Sequence, residues 1–396
     1  MRIVLIADTF PPQRTSGAVQ LRDLSREFIR QGHALTILLP SSDQKDSWLL
    51  ERFDGAEVLR LKAPRTKNIG YIRRSFGELV MPFFMLWHLH RSPLVKVRWD
   101  GVIWYAPSIF HGPLVNILKK RSGCKSYLII RDIFPEWAVD VGLMGRGLPF
   151  LFFKIVAWYQ YSVADVIGVQ TLSNQSYFAR WRKKTGRKLE VLKNWLGKPA
   201  EVSCSIRVND TPLAGRRVLV YAGNMGIAQG MGIFLNLAEK FKNRADVGFL
   251  FVGRGSEVEW LKVTARERKL DNVLFFDEID PDEIPSLYAQ CCAGIVALDS
   301  RHKSHNIPGK FLTYMQSGLP VLANVNVGND LAKIIRDERV GQVCESNQID
   351  DLFRLAGELL SQIEGDVELS VRCRKLFERE FSVERAACQI VSALAV

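Results

Sequence analysis

The sequence predicts an α/β protein of two doubly wound domains facing a cleft. Three observations predict it. Short β-branched runs alternate with helical patterns, and the alternation occurs twice. A turn-rich stretch at 196–215, "LGKPAEVSCSIRVNDTPLAG", separates the two series. The length of 396 residues suits two cores of ordinary size.

In chain order, "RIVLIAD" is a first strand, followed by the loop "TFPPQRTSG". "AVQLRDLSREFIRQG" places apolar residues at helical spacing with Gly32 as its terminating glycine, and "HALTILLP" is the next strand. "WDGVIWYAP", "KSYLIIRDIFP" and "ADVIGVQT" are continuous apolar runs, which suit strands of a parallel sheet buried on both faces. The second series runs "RVLVYAGNMG", a helix from about Ile233 to Lys242, "VGFLFVGRG", a helix, "NVLFFDEI", a helix, "AGIVAL", a further helix and "PVLANV". These patterns divide the chain into domains at 1–200 and 201–380. Residues 381–396 form a closing helix able to return to the first domain.

Hydrophobic residues at 47% and charged residues at 24% exclude a disordered chain. Residues 1–200 hold 31 Lys+Arg against 15 Asp+Glu, a net of +16, while the remainder nets −4. A basic first half suggests an anionic partner: phosphate-rich substrate, acidic membrane face or nucleic acid. The seven cysteines have no metal-site spacing and suit reduced thiols in the cytoplasm. The opening apolar run is too short for a secretory leader, and no stretch of eighteen apolar residues predicts a membrane span.

Several turns carry chemistry. Gly223, Gly226 and Gly230 lie between the first strand of the second series and its helix, where small residues let backbone N–H groups approach a phosphate; a plain tight turn reads equally well. Arg254 lies between Gly253 and Gly255 in the next such turn, placed for a pyrophosphate or simply solvated. In "HNIPGKFLTYMQSGLP", Ile307, Pro308 and Gly309 open a helix and Lys310 falls in its first turn. A cation there opposes the helix dipole unless an anion arrives, so Lys310 reads as a phosphate clamp. In the basic half, Gly17 sits in the loop after the first strand. Arg131 and Asp132 emerge at a strand's carboxyl end, where Asp132 could equally be a turn or capping residue. The six histidines have no metal spacing; His302 and His305 fall in a polar connection. Residues 71–98 and "LPFLFFKIVAWYQYSV" mix apolar residues with flanking cations, which suits a headgroup layer or a buried helix, and "RWRKKTGRK" would attract acidic lipid.

"SGAVQLRDLSREFIRQGHALTILLP", "GNMGIAQGM", "FVGRGSE" and "IPGKFLTYMQSGLPVLA" together resemble family four of the retaining glycosyltransferases, whose two Rossmann-like domains define the GT-B fold. "WYAPSIFHGPLV", "RDIFPEWAVDVGL", "GVQTLSN" and "VLKNW" are similar to bacterial N-acetyl-L-fucosamine transferases of O-antigen and capsule assembly. The resemblance implies a UDP-sugar donor on the second domain, a polyprenyl-diphosphate-linked acceptor on the first, transfer with retention, and no metal or other cofactor. It implies catalytic roles for Asp132, Arg254 and Lys310. Donor contacts would come from Gly223, Asn224, Gly226, Arg254, His305, Asn306, Ile307, Pro308, Gly309, Lys310 and Thr313, and acceptor contacts from Gly17, Arg131 and Asp132. It implies a cytoplasmic enzyme held peripherally at the inner face of an anionic membrane. The chain departs from the family pattern where two glutamates become His305 and Thr313, where an Arg and a Lys become Asn224 and Gln229, and where a histidine ahead of Asp132 becomes Arg131.

Two rival functions fit parts of the sequence. A UDP-N-acetylhexosamine epimerase shares the architecture but needs general acid/base residues, and no carboxylate pair suggests itself. A nucleic-acid-binding protein would use the basic half, yet no recognition motif supports it and the acidic second half argues against it.

Overall fold

A computed structural model describes residues 1–13, 15–66, 69–140, 142–199, 201–298 and 307–395. The chain divides into two units: residues 1–197 with 383–396, and residues 198–382.

The first unit contains β1 (Arg2–Ile6), α1 (Ser16–Arg30), β2 (Ala34–Ser41), β3 (Trp48–Phe53), β4 (Ala56–Lys62), α2 (Tyr71–Leu89), β5 (Gly101–Tyr105) and α3 (Gly112–Ser122). It continues through β6 (Lys125–Ile129), α4 (Glu136–Asp140), α5 (Leu148–Val163), β7 (Val166–Val169), α6 (Ala179–Arg182) and β8 (Lys188–Val191). The strands lie in the order β3-β4-β2-β1-β5-β6-β7-β8. Every pairing is parallel except β3 with β4, a hairpin closed by Asp54 and Gly55 at φ 48° and 87°. Positive φ at both central residues gives a turn whose twist matches the strands it joins, and Asp-Gly suits it.

The central strands are apolar on both sides because helices cover both faces. One face packs α2, α3 and α5 around Val4, Trp104, Leu114 and Tyr161. The other packs α1 around Ile3, Leu21, Phe28 and Ile103.

The second unit contains β9 (Arg217–Ala222), α7 (Gly232–Lys240), β10 (Val247–Val252), α8 (Val258–Glu267), β11 (Val273–Phe276), α9 (Ile284–Tyr288) and β12 (Ala293–Ala297). It continues through α10 (Gly309–Ser317), β13 (Val321–Asn324), α11 (Asp330–Glu338), β14 (Gly341–Cys344), α12 (Ile349–Gly365) and α13 (Leu369–Glu380). Its strand order is β11-β10-β9-β12-β13-β14, parallel throughout. The last helix, α14 (Val383–Ala395), lies in the first unit, where Gln389 donates to the Val191 carbonyl at 2.9 Å and Leu394 fills the space beside Gly101.

Strand order fixes where each sheet can take a ligand. In the first unit the chain leaves β1 toward β2 and later leaves β5 toward β6, in opposite directions from the middle of the sheet. In the second it leaves β9 toward β10 and β12 toward β13. At such a switch point the two loops diverge and open a crevice outside the strands' carboxyl ends.

Candidate functional site

The switch point of the second unit lies between the loop after β9 and the segment that leads from β12 into α10. Gly223 leaves β9 at φ 140°, and Gly253 and Gly255 leave β10 at φ 140° and 151°. The two turns press backbone on backbone: a Cβ on Gly253 would lie 2.1 Å from the Gly223 oxygen, and one on Gly255 would lie 2.2 Å from the Met225 oxygen. Glycine is required at both places by contact as well as by conformation.

Lys310 comes to the same spot from α10. A Cβ on Gly223 would meet its Cε at 2.6 Å and its Nζ at 2.9 Å, so the bare α-carbon leaves the space the lysine occupies. The ammonium lies 4.7 Å from the centroid of the Tyr221 ring, and among the described residues it has no ion-pair or hydrogen-bond partner. Burial pulls its pKa down to about 8. A cation so placed is held charged at pH 7 against its surroundings.

Pro308 is the N-cap residue of α10, and no side chain caps that helix. Its first N–H groups therefore lack intrahelical partners, and they lie beside Lys310 at the positive end of the helix dipole. The helix is anchored from below. Tyr314 donates to the carbonyls of both Val220 and Ile295, at 3.0 and 3.1 Å, and packs against Tyr288 with the rings tilted by 43° and their centroids 4.7 Å apart. Gly294 makes room for its ring.

The remaining donor-side residues fall into two groups. Asn224 donates to Gln229 at 3.1 Å and the Gly226 N–H donates to the same Gln229 oxygen at 3.0 Å, so these three close the β9 loop on itself. The Tyr221 hydroxyl donates to the Asn224 carbonyl at 2.5 Å. Arg254 projects from its turn, 79% exposed, and pairs with Glu278 at 3.3 Å. An exposed pair of this kind is worth about 0–1 kcal/mol, so an arriving anion can take the guanidinium from it. Thr313 turns its hydroxyl back to the Gly309 carbonyl at 3.3 Å, and Ile307 is buried. His305 and Asn306 lie outside the described residues.

In the first unit, Thr15 caps α1 by accepting from the Ala18 N–H, and Gly17 brings the helix start against Thr9 and Tyr105. Arg131 and Asp132 separate sharply. Arg131 is buried, donates to the Leu192 carbonyl at 3.0 Å and lies 4.4 Å from the Trp195 ring centroid. It binds the loop after β6 to the segment after β8. Asp132, its neighbour, is exposed.

Sequence reasoning passed over Tyr221 and Tyr314, which seat Lys310 and α10. The apolar stretches at 71–98 and 148–163 become α2 and α5. They bury one side and leave Ile72, Phe76, Phe83, Leu148 and Ile155 more than half exposed. No helix among the described residues is long and apolar enough to cross a membrane, and no three metal-ligating side chains converge among them.

Solved structures share this two-unit architecture. Sucrose-phosphate synthase of Thermosynechococcus elongatus superposes with a TM-score of 0.69 at 14% identity, over 99% of this chain and 98% of that one. HepE of Anabaena, solved with UDP-glucose, superposes with a TM-score of 0.67 at 13% identity over the whole of both chains. Likeness at these identities establishes the fold: α/β with two Rossmann-like domains, the GT-B class. Residues 216–362, within the second unit, match the family described as "Glycosyl transferases group 1". The chain is 26% identical over 285 residues to "Probable glycosyltransferase WbjE" of Pseudomonas aeruginosa, covering 69% of this chain and 70% of that one. It is 22% identical over 384 residues to WcaI of Escherichia coli, whose name assigns it to colanic acid biosynthesis, covering 87% and 86%.

Proposed function

We propose that this glycosyltransferase moves a sugar from a UDP-linked donor onto a polyprenyl-diphosphate-linked saccharide during assembly of a bacterial surface polysaccharide. The observation that carries the donor half is Lys310: an ammonium without an anionic partner among the described residues, seated against Gly223 beside the uncapped start of α10. A nucleotide diphosphate supplies the missing charge. As the sugar departs, negative charge grows on the β-phosphate, and Lys310, Arg254 and the α10 N–H groups are positioned to stabilise it there. Protein cations then do what a divalent metal would do, and transfer retains the anomeric configuration. HepE, with which this fold superposes, was solved with UDP-glucose, which supports UDP as the carrier. The donor sugar we assign is N-acetyl-L-fucosamine, on the motif resemblance in the first unit.

The reading is tested by thermal unfolding with a panel of nucleotides and nucleotide sugars, with and without EDTA. UDP and UDP-N-acetyl-fucosamine should raise the melting temperature in an EDTA-independent way, because a ligand of the folded state stabilises it by mass action. A panel in which no nucleotide moves the transition would sink the donor site.

The lipid-linked acceptor places the enzyme at a membrane, and α2 and α5 supply a surface for it. Their exposed apolar residues lie among Arg73, Arg74, Arg91, Arg146 and Lys154, and Arg91 stacks on Trp87 at 4.0 Å. Apolar insertion together with cations suits an anionic interface. The protein should co-sediment with phosphatidylglycerol vesicles at moderate salt, and Ile72→Ser with Leu148→Ser should release it. Wild-type protein left in the supernatant would remove the membrane from the reading.

A further inference from the structure

The basic segment "RWRKKTGRK", residues 180–188, has no part in the donor chemistry, and its end forms one wall of a cavity of about 280 Å³ in the first unit. Lys125, Asp165, Arg187 and Lys188 are its polar lining, and Ala393 of α14 adds an apolar contact. Lys125 opens β6, Asp165 precedes β7 and Lys188 opens β8. These strands are parallel, so the cavity lies at their amino ends, opposite the switch point. It is open to solvent at Gly186 and Lys188, both exposed.

Charge selects what the cavity takes. Asp165 is already engaged: one oxygen pairs with Lys119 at 2.6 Å, and the other accepts from the Ser126 N–H and hydroxyl, both at 2.9 Å. Lys188 pairs with Glu190 at 2.7 Å. Those two pairs cancel, and two cations are left over. Lys125 is half-buried, and its ammonium has no ion pair or hydrogen bond among the described residues. Arg187 has only neutral partners. It donates to the carbonyls of Trp181 and Ser162, at 3.3 and 3.1 Å, and lies 5.1 Å from the Trp181 ring centroid. Burial lowers its pKa against the pull of Asp165, yet a guanidinium stays charged. Ser162 belongs to the last turn of α5, whose carboxyl end offsets about half a charge, so the surplus is about 1.5 positive charges. A phosphomonoester brings about −1.5 to −2 at pH 7, with oxygens that only accept from such donors. A diester or a carboxylate brings one charge and leaves part of the surplus unmatched.

We propose that this cavity is a second phosphate site, separate from the donor site, which holds a terminal phosphate ester between Lys125 and Arg187. Arg187 offers its remaining N–H groups as a planar fork and Lys125 a point charge. The volume lies just under the ~300–1,000 Å³ of a drug-sized pocket, so the phosphate and the few atoms next to it fill the space. A lipid headgroup and a soluble phosphorylated metabolite both present this group. Arg187 also holds the end of α5 through Ser162, so an occupied site is braced against one of the two helices that carry exposed apolar residues.

The test is acetylation of the full chain by an N-hydroxysuccinimide ester, read at each lysine by mass spectrometry, in saturating UDP so that the donor site is filled. The probes are glycerol 3-phosphate, and phosphatidylcholine vesicles carrying phosphatidic acid or phosphatidylglycerol. At about ten times its Kd, glycerol 3-phosphate should slow acetylation of Lys125 about tenfold relative to sodium chloride of equal ionic strength, because only unliganded protein reacts. The exposed Lys183 and Lys184 should react as before. Protection by the soluble ester identifies a metabolite as sufficient, and protection by phosphatidic acid vesicles alone identifies a headgroup. Arg187→Gln should raise the protecting concentration about tenfold or more, the cost of a hydrogen bond to a charged group, and should keep the UDP-induced thermal shift. Should the loss of its bond to α5 unfold that variant, Lys125→Ala breaks no contact, and calorimetric titration should show the same weakening. The proposal is overturned if no phosphate source protects Lys125, if Lys183 and Lys184 are slowed equally by glycerol 3-phosphate, if phosphatidylglycerol protects as well as phosphatidic acid, or if the folded variants bind as the wild type does. If UDP fails to stabilise the wild type, the donor reading falls by itself, and Lys125 still decides this site.

Discussion

Lys310→Ala removes most of the stabilisation that UDP confers. At a ligand concentration of about 100 times Kd, binding stabilises the folded state by about 2.7 kcal/mol. Losing one charge-assisted hydrogen bond weakens binding by about 10- to 100-fold. The stabilisation left at the same UDP concentration is then about 0.4–1.4 kcal/mol. The variant should fold, because the lysine gives up a desolvated charge and Tyr314 still holds α10 to Val220 and Ile295. The pH dependence adds a signature that a merely structural lysine lacks. With its pKa pulled down to about 8, Lys310 is charged below that pH and neutral above it. UDP affinity in the wild type should therefore fall as pH rises through 8, by up to about tenfold per unit. Stability of the free protein should move the other way. Between about 8 and 10.5 the unfolded chain holds a proton that the folded one has lost, so this residue's contribution to stability rises with pH across that window. Calorimetric titration of wild type and Lys310→Ala from pH 7 to 9.5 reads both effects. A flat wild-type affinity, or a variant with the full UDP shift, would falsify the clamp.

Much of this arrangement is legible in the chain, for physical reasons that also mark where legibility ends. Strands buried on both faces are written as continuous apolar runs, so "RIVLI", "GVIWY", "VGFLFV" and "AGIVA" show themselves, and the glycines after β9 and β10 mark their exits. The β3–β4 hairpin went unread although Asp54-Gly55, between runs of alternating polarity, carries a hairpin signal. Its alternation is interrupted by the pair Leu49-Leu50, and it lies between stronger helical patterns. Strand order is a different matter. It follows from which helix crosses which face, which no local pattern encodes, and the switch points follow from strand order. Lys310 stands out as a lysine in a first helical turn, but its seat against Gly223, 87 positions earlier, is tertiary. The same holds for Arg131. Its position after a strand reads as functional, whereas Trp195 and the Leu192 carbonyl bury it. His111 carries no motif either, and its complete burial is likewise tertiary.

Gly253→Ala should destroy the donor site while leaving Arg254 and Lys310 chemically intact. The new methyl group would lie 2.1 Å from the Gly223 oxygen and 2.8 Å from its carbonyl carbon, with φ at 140°. Neither atom belongs to a flexible side chain, so relief requires moving one strand exit. The Gly253 N–H is bonded to Phe276 at 3.0 Å and the Gly223 N–H to Val252 at 2.8 Å, so movement breaks the ladder on one side. Backbone strain alone contributes about 1–3 kcal/mol, and the clash raises the total to about 4 kcal/mol or more. Gly357→Ala is the contrast within the same unit. Gly357 lies inside α12, a Cβ there meets nothing within 4 Å, and its φ is not positive. Alanine should stabilise that helix by about 0.5–1 kcal/mol. Calorimetry of the two variants with and without UDP separates the cases. Gly253→Ala should lower the melting temperature and lose the UDP response, and Gly357→Ala should keep both. Because Gly223 forms the seat of Lys310 and Gly253 presses on Gly223, a strand exit displaced by one methyl group unseats the lysine without touching it. Wild-type melting and UDP response in Gly253→Ala would mean that the two turns are not in contact, and the seat of Lys310 would have to be sought elsewhere.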